Sequence, residues 1–565
     1  MLKQIVLKFG SVPGAAPLAF DPLSMTVFVG PNNSGKSLTL REIYNKLGFR
    51  NEGQDPPEKI IDSLEVRFPA SDTAQRLVDS VPTLHPTNKP PHGSYWTVSG
   101  NSYTPVVKSD MIASLNSGRQ AQEKDLPVPL ATNKKVLTQL LSQLTLELDG
   151  KTRLTLTDEQ PLGDMLLPTK YHLAKLAANE DAKLRVRDLI CEAFGEHFVL
   201  DLTKSGKVRV RMASRPPADT AEEQALDQRA QKYHLSAKLI TEYSDGVRAY
   251  IGVVSMLASS EYRLILVDEP EAFLHPPLAR KLGTVIAKLA SAREATVFAS
   301  THSVHFVMGC IASGTKMNIV RLTFQSGMAT ARLLPYEKLL PLMRDPVMRS
   351  AGALGALFAT SAVVCEADGD RAFYEEINTR LTEAGMPAVE DALFLNVNGK
   401  NAIYKIVKPL RELGVPAAVI VDLDILDEGL KVVLDACYVP SATVAGMTAT
   451  NGNLMALYKG LNKKVLKENG FFKLKPSDQQ AGFDLLEQLC KYGIFVVPIG
   501  ELEQWLKPLQ IPGKKDDWLS AMFVRLGSDP DSKSYVKPSS GDVWDFVASI
   551  QTWVSNPNRL GMPSN

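Results

Sequence analysis

The chain has 565 residues, with 63 Lys and Arg against 62 Asp and Glu and a net charge of +1. That length exceeds what one core serves and predicts two to four domains. A hydrophobic content of 44% with 22% charged residues describes an ordinary globular chain, and the balanced charge confines any nucleic-acid surface to a local patch. The cysteines Cys191, Cys310, Cys365, Cys437 and Cys490 are scattered without a CxxC pair. This argues against structural zinc and a disulfide framework and fits a reducing cytosol. The opening MLKQIVLKFG lacks the apolar stretch of a signal peptide, and no run of about 20 apolar residues follows. A cytoplasmic protein without membrane spans is expected.

A strand at Lys3–Phe9 and a second at Met25–Val29 lead into a glycine-rich loop, with a helix from Lys36 to about Leu47. Leu84–Gly100 is rich in Pro, Gly, Asn and His and predicts a loop. Leu144–Leu148 and Arg153–Thr157 alternate in polarity around Asp149-Gly150, which predicts a hairpin. A helix is expected over Lys170–Phe194, and Arg215–Gln231 opens on Pro-Pro and turns charged. The stretch 150–235 therefore reads as an inserted helical or dimerisation region within a first domain spanning 1–345. Strands return at Arg263–Val267 and Ala295–Ala299, separated by a helix at Pro277–Leu289.

Pro346–Ala359 predicts a junction helix, with proline in its first turn. The second domain, 346–565, then alternates regularly. Strand Ala362–Cys365, helix Arg371–Ala384, strand Leu393–Val397, helix Ile403–Leu413 and strand Ala417–Val421 follow one another, with a later strand at Ile494–Pro498. Such alternation predicts βαβ units in a small parallel sheet, with chemistry at the carboxyl ends of its strands. The fold class expected for the whole chain is α/β.

Three motifs in the first half point to one chemistry. Gly30-Pro-Asn32-Asn33-Ser-Gly35-Lys36-Ser37 matches GxxxxGK[ST] between a predicted strand and a predicted helix. Backbone N–H groups of the loop and helix start would face phosphates, Lys36 would neutralise them, and Ser37 would ligate Mg²⁺. The apolar run Leu264–Val267 ends in Asp268-Glu269, residues suited to holding the metal through water and to polarising an attacking water. Ser300-Thr301-His302-Ser303 closes another strand and places His302 to contact a γ-phosphate.

This ordered set resembles the ABC-type ATPases related to the SMC, Rad50 and RecF proteins, above all in Asp268-Glu269-Pro270-Glu271 followed by Leu274-His275-Pro276. The resemblance implies a serine-glycine signature presented by a second protomer. Tyr243-Ser244-Asp245-Gly246-Val247-Arg248 supplies it, with Tyr243 where the family has leucine. Ser244 and Gly246 would then complete the ATP site of a partner copy, so that at least a dimer is expected. No residue stands out as the family's metal-sensing glutamine.

The second half carries Glu366 and Asp370 around one strand-to-helix turn, and Asp422-Leu423-Asp424 after a later strand. Acids gathered at neighbouring strand ends repel one another unless cations compensate, which implies Mg²⁺ or Mn²⁺. Two such ions would stabilise the attacking and leaving oxygens of a phosphodiester. The pattern resembles a Toprim domain, with Ala367 where the family has glycine. An ABC-type ATPase followed by Toprim is the arrangement of the OLD (overcoming lysogenization defect) family, which includes the nuclease subunit of the Gabija antiphage system. The resemblance implies a third acid and a lysine downstream. Glu503, supported by Glu501, is the candidate acid, and Lys533 or Lys537 the candidate lysine.

The leading expectation is an ATP-hydrolysing, metal-dependent nuclease acting on DNA in antiphage defence, alone or with a co-encoded helicase or other partner. An ATP-gated effector cutting RNA such as tRNA, and a non-cutting ATP-dependent DNA-binding repair scaffold, stay open beside it. The basic stretch Lys459–Lys475, with Phe471 and Phe472, reads as a solvated helix face rather than a nucleic-acid contact.

Overall fold

The computed structural model describes residues 2–49, 57–66, 68, 71–80, 83–84, 95–99, 102–106, 108–123, 144–163, 171–259, 262–325, 327–334, 336–346, 348, 352–397, 399, 402–458, 463–513 and 516–563. The chain forms two compact units. The first comprises Met1–Gly10, Ala16–Val29 and Gly35–Leu322, and the second Ser11–Ala15, Gly30–Ser34 and Thr323–Asn565. No helix among the described residues is long and apolar enough to cross a membrane.

The first unit is organised by parallel strands in the order Met317–Gln325, Met25–Val29, Thr296–Ser300, Leu264–Asp268 and Thr145–Leu148. Met25–Val29 is buried at every position, and Leu264–Asp268 at all but the last. Continuous apolar runs of this kind suit a parallel sheet covered on both faces. The register pairs Asp268 with Ser300 and Ser300 with Phe28, so the glycine-rich loop, the acidic pair and the His302 segment leave the sheet at one edge. The helix Lys36–Tyr44 starts directly after Gly35, which has φ +92°. Helix Asp245–Ser259 is largely buried, and helix Pro276–Ala292 starts on Pro276-Pro277.

Four local expectations change. The hairpin around Asp149-Gly150 is absent: Thr145–Leu148 pairs in parallel with Leu264–Val267, and Thr152–Thr155 is a helical turn. The Asp149 carboxylate accepts from the N–H of Lys151 at 2.9 Å and of Thr152 at 2.7 Å, which caps the turn and diverts the chain from a return strand. The loop expected over 84–100 contains the strand Tyr95–Ser99, antiparallel to Ser102–Val106, where aromatic and β-branched residues outweigh the turn formers around them. Residues 85–94 lie outside the described residues. The stretch 150–235 has the helices Glu180–Phe194 and Gln228–Ser236, but it also holds the strands Gln160–Pro161, His197–Asp201 and Lys207–Ala213, which join Lys238–Leu239 in an antiparallel sheet. Of the junction helix expected at Pro346–Ala359, residues 347 and 349–351 lie outside the described residues, and Gly352 at φ +65° heads a 3-10 helix, Ala353–Phe358, instead of an α-helical turn.

The second unit contains a four-stranded parallel sheet in the order Ala392–Asn396, Ser361–Cys365, Ala417–Val421, Ile494–Val496. Ser361–Cys365, Ala417–Val421 and Ile494–Val496 are buried throughout. Phe373 and Tyr374 of helix Asp368–Glu383 pack with Trp505, Trp518, Trp544 and Trp553 in one aromatic-rich core. Arg411 is wholly buried and donates to the carbonyls of Ala417, Cys437, Tyr492 and Gly561, tying four segments behind the sheet. The carboxyl ends of these strands deliver Glu366, Asp422 and the 500–503 turn.

Candidate functional site

In the first unit the acidic strand and the helix after the glycine-rich loop meet. Lys36 is buried, and burial holds its ammonium down to about 8, although Glu269, Asp268 and Glu271 pull it upward. The Ser300 hydroxyl donates to Asp268 Oδ1. His302 Nε2 lies 3.6 Å from Glu269 Oε1, and the His302 N–H donates to Glu271 Oε1 at 2.8 Å. Burial and the Lys36 charge keep His302 below its ordinary value, so the ring is a neutral partner at neutral pH. Burial drives the Glu271 carboxyl upward. A cavity of about 310 Å³ opens beside Ser37 and Asp268, with Arg41, Glu147, Asp149 and Thr152 among its lining residues.

Ser244 is exposed and directly precedes helix Asp245–Ser259, with Gly246 in its first turn. A side chain at 246 would bring its Cβ to 2.5 Å from the Phe273 carbonyl oxygen, so backbone packing alone requires glycine there. Gly30 and Asn33 of the loop have φ of +143° and +58°, while Asn32 is exposed.

In the second unit Glu366 leaves the strand Ser361–Cys365 and accepts from the Asp422 N–H at 3.2 Å. Asp370, in the first turn of helix Asp368–Glu383, accepts from the Ala367 N–H at 3.0 Å. Burial pushes Asp370 up to about 6 despite that bond, and Glu503 adds to the rise. Asp422 is raised well above its ordinary value, first by burial and then by the charges of Glu366, Asp370, Asp424 and Glu501. These acids therefore feel one another across three strand ends. Oxygen donors of like charge suit a hard divalent cation. No three acids, histidines or cysteines among the described residues stand close enough to enclose an ion as they are.

Comparison with known proteins agrees with this division. Residues 197–308 match a family model for an AAA domain, described with the AbiEii toxin of type IV TA systems. Residues 357–424 match the TOPRIM domain of overcoming lysogenization defect protein-like chains. The chain joins an AAA-type ATPase domain to an OLD-like Toprim domain. It is thus an enzyme with an ATPase part and a Toprim nuclease part. Among solved structures, an SMC head bound to the C-terminal winged-helix domain of ScpA is 15% identical with a TM-score of 0.35, over 60% of this chain and 99% of that one. An SMC head domain from Thermotoga maritima is 15% identical with a TM-score of 0.27, over 59% and 98%. A Pyrococcus furiosus Smc head with an extended coiled coil, bound to the C-terminal domain of ScpA, is 12% identical with a TM-score of 0.29, over 60% and 98%. No curated protein matches the sequence.

Within the ATPase domain the structure brings together Lys36, Asp268, Glu269 and His302. Within the Toprim domain it brings together Glu366, Asp370, Asp422 and Asp424, and it sets Glu501 and Glu503 in their field. Lys533 and Lys537 are exposed on the loop after helix Asp516–Leu526, and no described ion pair joins either to an acid of the cluster. Among the described ion pairs Lys467 does so, its Nζ lying 3.0 Å from Asp424 Oδ2. It belongs to the stretch read as a solvated helix face, and its contact is long-range, which no local pattern announces. Arg153 was missed too. It is fully buried, and its Nη1 donates to the Glu269 carbonyl. The hairpin expectation places it on the return strand Arg153–Thr157.

Proposed function

We propose that the chain is an ATP-binding and ATP-hydrolysing nuclease that cuts DNA phosphodiester bonds at its Toprim acids, under control of nucleotide state. The convergence of Glu366, Asp370, Asp422, Asp424 and Glu501 in one electrostatic cluster carries this reading. Glu366, Asp370, Asp422 and Asp424 would hold Mg²⁺ or Mn²⁺, with Glu501 and Glu503 completing the oxygen donors. Bound divalent cations would supply charge stabilisation for the attacking and leaving oxygens. Lys467 now stands beside Lys533 and Lys537 as a candidate for balancing phosphate charge, since it already faces an acid of the cluster.

At the ATP site Gly30, Asn32, Asn33 and Gly35 would shape the phosphate loop, and Lys36 would pair with phosphate oxygens. Ser37 and Asp268 would hold Mg²⁺. Glu269 would orient the attacking water, with His302 near the γ-phosphate. The exposed Ser244 and Gly246 would meet the nucleotide of a second copy, so the working form is at least a dimer. The arrangement of an ATPase before an OLD-like Toprim domain supports a role in antiphage defence, alone or with a co-encoded helicase or other partner.

Purified protein with Mg²⁺ or Mn²⁺, tested on plasmid DNA and on total tRNA with and without ATP, decides the matter. Cleavage of plasmid that disappears in Glu366→Ala supports the reading. Cleavage confined to tRNA moves the substrate to RNA. Nucleotide-dependent DNA binding without cleavage under every condition identifies a scaffold instead.

A further inference from the structure

Glu269 sits at φ +47°, a left-handed conformation that costs a non-glycine residue on the order of 1–2 kcal/mol. Such a backbone persists only when its neighbours hold it. Its N–H donates to the Ser300 carbonyl at 2.9 Å, and its own carbonyl accepts from the Ala272 N–H at 2.9 Å. The remaining holder is a side chain. Arg153 Nη1 donates to the same Glu269 carbonyl, while Nε donates to the Asp149 carbonyl at 3.1 Å. The guanidinium is fully buried and lies in the field of Glu271, Glu269, Asp268 and Asp149. It therefore bridges the end of the edge strand Thr145–Leu148 to the residue after the acidic strand.

The turn that carries Arg153 is itself gripped from a third direction. Helix Asp245–Ser259 lays Gly252 against it so closely that a Cβ there would sit 2.9 Å from the Arg153 carbonyl oxygen and 2.9 Å from Leu156 Cβ. One turn earlier on the same helix, Arg248 Nη2 donates to Asp158 Oδ1 at 3.2 Å. A continuous line of contact thus runs from the helix beginning beside Ser244, through the Thr152–Thr155 turn, to the backbone of Glu269.

We infer that Arg153 is a positioning residue that fixes the backbone of Glu269 and couples it to the helix starting at Ser244. Displacement of that helix, as when Ser244 meets a nucleotide, is transmitted through Gly252 and Arg153 to the carboxylate that orients water. The inference rests on the proposed role of Glu269 and adds to it a residue that touches neither nucleotide nor metal.

The test uses the full chain and compares Arg153→Lys and Gly252→Ala, each alone and combined with Glu269→Gln. ATP turnover and binding of a fluorescent ATP analogue are measured on each variant. Arg153→Lys keeps the charge but loses the two-pronged reach, and Gly252→Ala leaves Arg153 intact while pushing its turn away. Each is expected to lower kcat by about 10–100-fold, as lost support behind a reacting group commonly does, with analogue binding within about twofold of the parent. In the Glu269→Gln background neither substitution should lower kcat further. Unchanged kcat in both single variants overturns the inference, as does an equal further loss in the Glu269→Gln background. Loss of analogue binding in parallel with kcat also overturns it, because that marks general disruption. Parental turnover in Glu269→Gln alone removes the role of Glu269 itself, and that outcome is distinct from failure of Arg153→Lys beside an impaired Glu269→Gln.

Discussion

The two acidic groups of this chain differ in how their charge is met. In the ATPase domain Asp268, Glu269 and Glu271 share their surroundings with Lys36 and Arg153, both buried. In the Toprim domain Glu366, Asp370, Asp422, Asp424, Glu501 and Glu503 act on one another, and the described cation among them is the half-exposed Lys467. The outcome shows in which group is displaced from its ordinary ionisation. At the first site burial lowers a cation, Lys36, as well as raising the Glu271 carboxyl, and at the second it raises Asp370 and Asp422. The first is an acidic pocket with cations built in and waits for a phosphate. In the second, buried acids raise one another, a repulsion that a bound divalent cation relieves.

Removing the centre of each group separates them most strongly. Asp422→Ala should reduce nucleic-acid cleavage by at least about a hundredfold, the scale on which a reaction suffers when its charge stabilisation goes. ATP turnover should stay close to the parent, and parallel plasmid-cleavage and phosphate-release assays read both. Lys36→Ala should reverse the pattern, with ATP turnover lowered about a hundredfold. Cleavage surviving Asp422→Ala would move the cutting site elsewhere. ATP turnover lost in both variants would erase the contrast between the domains.

Much of this contrast could be read along the chain because its carriers are local. Met25–Val29 and Leu264–Asp268 are apolar runs that end in the residues they present, and Ala417–Val421 ends the same way before Asp422. A strand deposits its last side chains at the sheet edge whatever else the fold does. The counter-charges were not legible for the complementary reason. Arg153 reaches Glu269 across a sequence separation of 116 residues, after a turn that Asp149 bends away from the hairpin its flanks suggested. Lys467 looks like any lysine of a charged helix until the fold sets it on Asp424. Gly252 is an unremarked glycine inside a helical pattern, and only the close approach of Arg153 and Leu156 explains it.

A pH measurement tests whether the ATPase domain is charge-balanced beyond its site. His172 is buried, with Nδ1 3.1 Å from Gln160 Nε2 and Nε2 3.4 Å from the Ser255 hydroxyl. Burial, with a smaller effect of Lys175, lowers its pKa from 6.5 to about 4. A base with a depressed folded pKa leaves the unfolded chain binding more protons, so its contribution is complete above 6.5 and is lost as pH falls towards about 4. The loss amounts to about 3 kcal/mol at the lower end. Denaturant unfolding at pH 7 and pH 4.5 should show it, and His172→Gln should flatten the difference. An undiminished slope in that variant would trace the acid sensitivity to other groups.

The smallest effect bears most directly on the contrast, because it alters the one described cation of the Toprim group. Lys467 is 42% exposed and Asp424 23%, so their 3.0 Å contact is screened by water. Exposed pairs of this kind contribute about 0.2–1 kcal/mol, equivalent to at most about a fivefold change in an equilibrium. If the acids are short of positive charge, the ammonium competes with an incoming divalent ion, and Lys467→Met should lower the Mn²⁺ concentration for half-maximal binding about two- to fivefold. Titration of the full chain with Mn²⁺, followed by calorimetry, reads this without any cleavage. A simultaneous fall in cleavage rate at saturating Mn²⁺ would give the same lysine a second role on the phosphate. A shift towards weaker Mn²⁺ binding would show that Lys467 orients Asp424 for the ion rather than standing in its place. The Toprim site would then resemble the ATP site, with its supporting cation already built in.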